Sequence, residues 1–299
     1  MSVALRQPQT PSRRDRAAAL VVASSIEISP RDEFAGERLR ELFDPGTTVF
    51  VNHPGSVTHH DIVAACVRLR RAGFNPVPHI AARRVASFTQ ASDFVQRAAA
   101  EAGVTRALVI GGDPDQPVGP FPDAYDLLAS GLLEHHGLRE VLFAGYPEGH
   151  PRIAVRTLDK ALRVKLALAR GQGLEPSVVT QFGFDAEPIR RWIGALRAHD
   201  IFCPVRIGVA GPATVATLAK YAVRCGIGSS LRALARGHTA FARILAEAGP
   251  DALIEALVAG EDSAQPIDGL HLFTFGGVRR TAEWISGYPR RRWASCGPA

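Results

Sequence analysis

The chain predicts one α/β domain folded as a (β/α)8 barrel of the TIM type, and three observations carry that expectation. Short apolar runs alternate with longer amphipathic ones, there are eight of the former, and glycine closes most of the latter. In order, the strand candidates are residues 19–28, 48–52, 76–80, 106–110, 140–145, 177–182, 204–209 and 269–275, each an apolar stretch of strand length. The helical stretches between them are 61–72, 87–102, 123–135, 155–170, 186–199 and 213–225. Gly73, Gly103, Gly137, Gly171 and Gly226 follow five of these, where a helix end needs a residue that tolerates a left-handed backbone. The gap before the eighth strand is too long for a simple βα unit and predicts extra helix over roughly 229–259. No Pro/Gly/Ser linker divides the chain. Residues 1–18 read as a flexible arm, 19–289 as the barrel and 290–299 as a basic tail.

Composition narrows the function classes. No run reaches the roughly 20 apolar residues of a membrane span, and Arg13, Arg14, Asp15 and Arg16 interrupt any signal-peptide-like start, so a cytoplasmic, membrane-free protein is expected. Cys66, Cys203, Cys225 and Cys296 are scattered without metal spacing and predict reduced, packed thiols. The formal net charge is +6, but the basic residues are spread out and the one dense run, Arg290-Arg291-Arg292, lies beside the terminus; nucleic acid is not expected as a partner.

In a barrel the reacting groups sit at the carboxyl ends of different strands. That rule gathers Glu27, Asn52 and His53, His79, Gly112 and Asp113, Tyr146 with His150, Gln181, and His271 or Thr274 at one face. The run from Ala144 to Ala154 concentrates Tyr, Glu and His in a proline-stiffened turn after an apolar strand. Glu27 alternates with Ile26 and Ile28 and so faces away from them; desolvated in a barrel mouth, its pKa is expected to rise, as suits a general acid.

These residues fall in five ordered motifs: Ser25-Ile26-Glu27-Ile28-Ser29-Pro30, Val77-Pro78-His79-Ile80, Gly112-Asp113-Pro114, Ala144-Gly145-Tyr146-Pro147-Glu148-Gly149-His150-Pro151, and Thr180-Gln181-Phe182-Gly183-Phe184-Asp185. Together they resemble the methylenetetrahydrofolate reductase family, a flavin-containing TIM barrel, over about residues 20–286. The resemblance implies FAD across the barrel top, NADH or NADPH as co-substrate, and interconversion of 5,10-methylenetetrahydrofolate and 5-methyltetrahydrofolate. It implies Glu27 as the acid that protonates N10, and Asp113 beside the flavin N1 and the pterin. It also implies His79, Tyr146, His150 and Asp159 as FAD contacts, with Asn52, His53, Gly112 and Ala124 completing the cofactor site. Lys165, or else Arg156 or Arg163, pairs with the pyrophosphate, Gln181 serves both substrates, and Arg279 binds the folate. The partners are then small molecules, and a homo-oligomer stays open.

Three positions depart from the family pattern. Asn52-His53 stands for a Thr-Tyr pair, Gly111 for an arginine before Gly-Asp, and Gly276-Gly277-Val278 for an Asn-Arg beyond the last strand. Loss of the arginine removes a fixed cation near the cofactor phosphates and predicts weaker FAD binding. The departures also motivate an alternative, a flavin-free folate-binding or regulatory barrel. A Schiff-base aldolase is disfavoured because Lys160, Lys165 and Lys220, the only lysines, all fall in helical stretches. A metal hydrolase is disfavoured because no His-x-His or His-Glu-x-x-His spacing occurs, and the pairs His59-His60 and His135-His136 are expected to point to different sides of their helices; no metal is expected.

Overall fold

The computed structural model describes residues 12–55, 57–225, 249–260 and 267–290. Eight parallel strands close into a barrel in sequence order: β1 (Ser25–Ile28), β2 (Thr48–Val51), β3 (Asn75–Ala81), β4 (Arg106–Ile110), β5 (Glu140–Gly145), β6 (Glu175–Thr180), β7 (Val205–Ala210) and β8 (Gly269–Phe273), with β8 returning to β1. The expected (β/α)8 TIM barrel is the observed fold.

Strand alternation sorts side chains into two layers. Ile26, Val49, Val109, Phe143 and Leu272 face outward and pack under the helices. Phe50, Val77, Leu108, Leu142 and Val179 face inward and form a separate apolar layer inside the barrel. Ser25 and Glu27 share the inward face of β1, opposite His271 and Phe273 of β8 in the register.

The helices around the barrel include α1 (Arg13–Val22), α2 (His59–Arg71), α3 (Phe88–Ala102), α4 (Ala124–Ala129), α5 (Leu132–His135), α6 (Val155–Gly171), α7 (Ala186–Ala198), α8 (Val215–Cys225), α9 (Asp251–Ala259) and α10 (Val278–Gly287). Two sequence expectations are corrected by α1. Residues 13–22 are neither loose arm nor strand: Ser12 caps the helix through Asp15 N, and Ala17, Leu20 and Val21, at helical spacing, are buried. Residues 1–11 of the expected arm and 291–299 of the expected tail lie outside the described residues, and Tyr288–Arg290 form a 3-10 turn. The expected helix 123–135 is two helices, broken where Gly131 takes φ +74°. The helix expected over 61–72, α2, starts earlier, at His59, because Thr58 and Asp61 form a reciprocal capping box. Of the extra helix expected over 229–259, α9 is described, and 229–248 lie outside the described residues.

Candidate active site

Glu27 lies inside the upper barrel with its side chain 15% exposed. Its Oε2 stands 3.5 Å from His79 Nε2 and 3.6 Å from His271 Nε2, and Asn52 Nδ2 donates to Oε1 at 3.3 Å. Thr274 Oγ1 donates to the Glu27 carbonyl at 2.6 Å, tying the end of β8 to β1. Behind His271, Ser25 Oγ lies 3.0 Å from Nδ1. Phe50 packs edge-on against both imidazoles and floors the cluster. Strands β1, β2, β3 and β8 thus converge on one carboxyl group.

The electrostatics correct the expectation of a raised pKa. Burial does push the Glu27 carboxyl up, but His79, His271 and Asn52 together outweigh it and hold it below the usual carboxylate range. Burial drives His79 down to about 4 against the pull of Glu27, so at neutral pH the pair is a carboxylate beside a neutral imidazole.

Of the other expected residues, some meet the mouth and some do not. Gln181 follows β6, its Oε1 accepting from Phe182 N at 3.1 Å, which leaves the Nε2 hydrogens as its donors. Asp113, after β4, is bound by Arg84 through Nε (3.1 Å) and Nη2 (2.5 Å), with Arg224 3.9 Å away; burial is the largest single influence and pushes its carboxyl up, but Arg84, its own backbone and Arg224 together outweigh it and hold it below the usual carboxylate range. His53 accepts from Ala81 N at 3.4 Å and is driven down to about 4 by burial and by Arg84. Tyr146 sits edge-on to His150, whose Nδ1 accepts from Arg152 N. Tyr146 and Asp159 line a cavity of about 400 Å³ with Leu158, Arg191 and Trp192.

Five residues lie elsewhere. Lys165 Nζ sits 5.0 Å over the Phe143 ring, in the layer between sheet and helices, because α6 turns that face to the barrel wall. Arg156 and Arg163 are exposed. Ala124 is buried in the same outer core. Arg279 pairs with Glu41 at 3.4 Å and covers Phe34 instead of joining the Glu27 cluster. The glycines that replace the expected Asn-Arg have a backbone cause: a side chain on Gly276 would collide with the Pro212 carbonyl, and Gly277 takes φ +101°.

Sequence reasoning missed Arg84 and Trp192, which no motif marks. Ser25 was legible as a neighbour of Glu27, since residues two apart share a strand face.

His59 and His60 do not diverge; their rings lie 3.8 Å apart, and with Asp93 they form a group able to hold a cation. Its protons are already placed. Ala86 N–H donates to Gln90 Oε1, which fixes Gln90 Nε2 as donor to His59 Nδ1, so His59 Nε2–H donates to Asp93 at 3.0 Å. Arg97 Nη1 donates to His60 Nδ1.

No protein-family model matches the chain. Among the described residues, no helix is long and apolar enough to cross a membrane.

Proposed function

We propose that this chain is an oxidoreductase interconverting 5,10-methylenetetrahydrofolate and 5-methyltetrahydrofolate, with NADH or NADPH as co-substrate and FAD as the carrier between them. The observation that carries the reading is the Glu27 carboxylate, ionised yet largely out of water, within the same barrel mouth as Gln181 and Asp113. When bound, FAD supplies hydride relay between nicotinamide and folate carbon. The fit to that cofactor is uneven. Tyr146 and Asp159 in their cavity suit an adenosine, and Gly112, at φ +93°, lets backbone approach a ligand closely. Gly111 carries no cation and Lys165 is turned to Phe143, so neither serves the diphosphate.

The proton work falls to Glu27. In the oxidative direction its carboxylate takes the N10 proton as the ring closes. In the reductive direction it gives that proton back, and must first be protonated from the mouth. His271 and Asn52 orient the carboxylate, and Ser25 orients His271. Gln181 Nε2 donates to whichever substrate is bound, and the Asp113 carboxylate faces polar N–H groups of the pterin.

Denaturing the purified protein and chromatographing the supernatant, alongside an anaerobic assay for 5-methyltetrahydrofolate, tests the reading. Released FAD and NADH-dependent product support it. Gly111 and Lys165 favour a second reading, a flavin-free folate-binding or regulatory barrel; folate binding with neither flavin nor turnover would establish that instead.

A further inference from the structure

Arg84 is absorbed by no motif, yet it occupies the rim of the site. It closes the 3-10 turn Ala82–Arg84 after β3, and Arg83 N donates to Gly111 O at 2.9 Å, which seats the turn against the end of β4. The Arg84 side chain is only 18% exposed. It lies against Gly55, where a Cβ would come within 3.0 Å of Nη2 and 3.2 Å of Nη1, while a Cβ on Gly111 would meet nothing within 4 Å. A cation is therefore held against Gly55, with open space at position 111, where the sequence lacks an arginine.

Asp113 takes the Nε–H and one Nη2–H of Arg84, leaving three of the five guanidinium N–H groups. Arg84 and Arg224 against Asp113 leave this trio with one excess positive charge, among the described residues the Arg83 side chain beside it binds only the Pro114 and Pro122 carbonyls, and Arg152 and Asp115 pair with each other. Excess charge, unspent parallel donors and side-chain-free backbone together suit a dianionic oxygen ligand approached at close range.

We propose that Arg84 is the diphosphate anchor of the site, gripping the diphosphate of a dinucleotide laid across the barrel mouth and replacing from β3 the cation that position 111 lacks. The proposal rests on the oxidoreductase reading above. A diphosphate is common to FAD and to NAD(P)H, and the experiment separates them.

Binding of FAD and of NADH, with riboflavin and nicotinamide riboside as phosphate-free controls, is measured by calorimetry on the wild type, Arg84→Met, and Arg84→Met with Gly111→Arg. Arg84→Met should weaken one dinucleotide by on the order of tenfold and move its phosphate-free control less than about twofold; the double variant should recover most of the loss. The dinucleotide that responds identifies the ligand. Unchanged affinity for both dinucleotides, or equal loss for the controls, overturns the anchor while leaving the oxidoreductase reading in place. A wild type that binds neither dinucleotide overturns the reading itself. Should Arg84→Met not fold, Arg84→Lys, which keeps charge but loses the fork, should bind the same dinucleotide several-fold more weakly; wild-type affinity there overturns the anchor.

Discussion

A carboxyl group sunk into a barrel loses hydration, and on that ground alone its pKa rises. At Glu27 the partners outweigh the depth, because His79, His271 and Asn52 all favour the charged form. Those partners come from three other strands, which is why the sequence, showing only Ile26 and Ile28 beside it, pointed the wrong way. Replacing Glu27 by Gln removes the proton carrier and spares hydride entry from the nicotinamide. Stopped-flow measurement should show the folate half-reaction falling on the order of 10²-fold or more with flavin reduction by NADH little changed; equal slowing of both halves would make Glu27 a positioning group. Gln181→Ala should weaken nicotinamide nucleotide and folate alike, each by about 1–2 kcal/mol, read as parallel rises in their dissociation constants. An effect on one substrate alone would place the two in separate pockets.

At the scale of elements, the eight strands were legible because buried parallel strands are continuous apolar runs separated by helical spacing. The first helix was not, since residues 17–22 are apolar throughout and only the burial of Ala17, Leu20 and Val21 reveals the 3.6 period. Cap chemistry moved the start of α2, and Thr58→Ala should cost about 1 kcal/mol in urea unfolding by removing the hydroxyl that accepts from Asp61 N, while the backbone N–H of residue 58 still donates to Asp61. The loop after β8 has less tolerance. Gly276→Asn, which would restore the expected family residue, forces a Cβ into the Pro212 carbonyl and should cost about 2–4 kcal/mol; a variant as stable as wild type would show that the β7 and β8 loops separate easily. Arg84 stayed invisible for a different reason: its partners Gly55 and Asp113 lie in other loops, and no spacing within its own segment marks it.

For the whole molecule, the buried imidazoles set the acid limit of stability. His53 and His79 are each held near 4, below the ordinary histidine value, so between about pH 6.5 and 4 the unfolded chain binds protons that the folded one refuses. Their contribution is full above that window and is lost as pH falls through it; the lowered carboxyl of Glu27 adds loss in the same direction at its acid end. The melting temperature should therefore drop steadily from pH 7 to 4. His79→Gln, which cannot charge, should shallow that slope even if it lowers stability at pH 7, and an unchanged slope would remove His79 from the account.

The inward layer of Phe50, Val77, Leu108, Leu142 and Val179 beneath Glu27 has a kinetic meaning as well as a packing one. It seals the lower barrel against water, so hydrogen ions reach the carboxylate from the open rim alone. A flat ligand across that rim acts as a stopper, and a hydrogen ion beneath it trades with solvent no faster than the ligand departs. A label carried on Glu27 when the ligand seats would then end up on the product before the medium could dilute it.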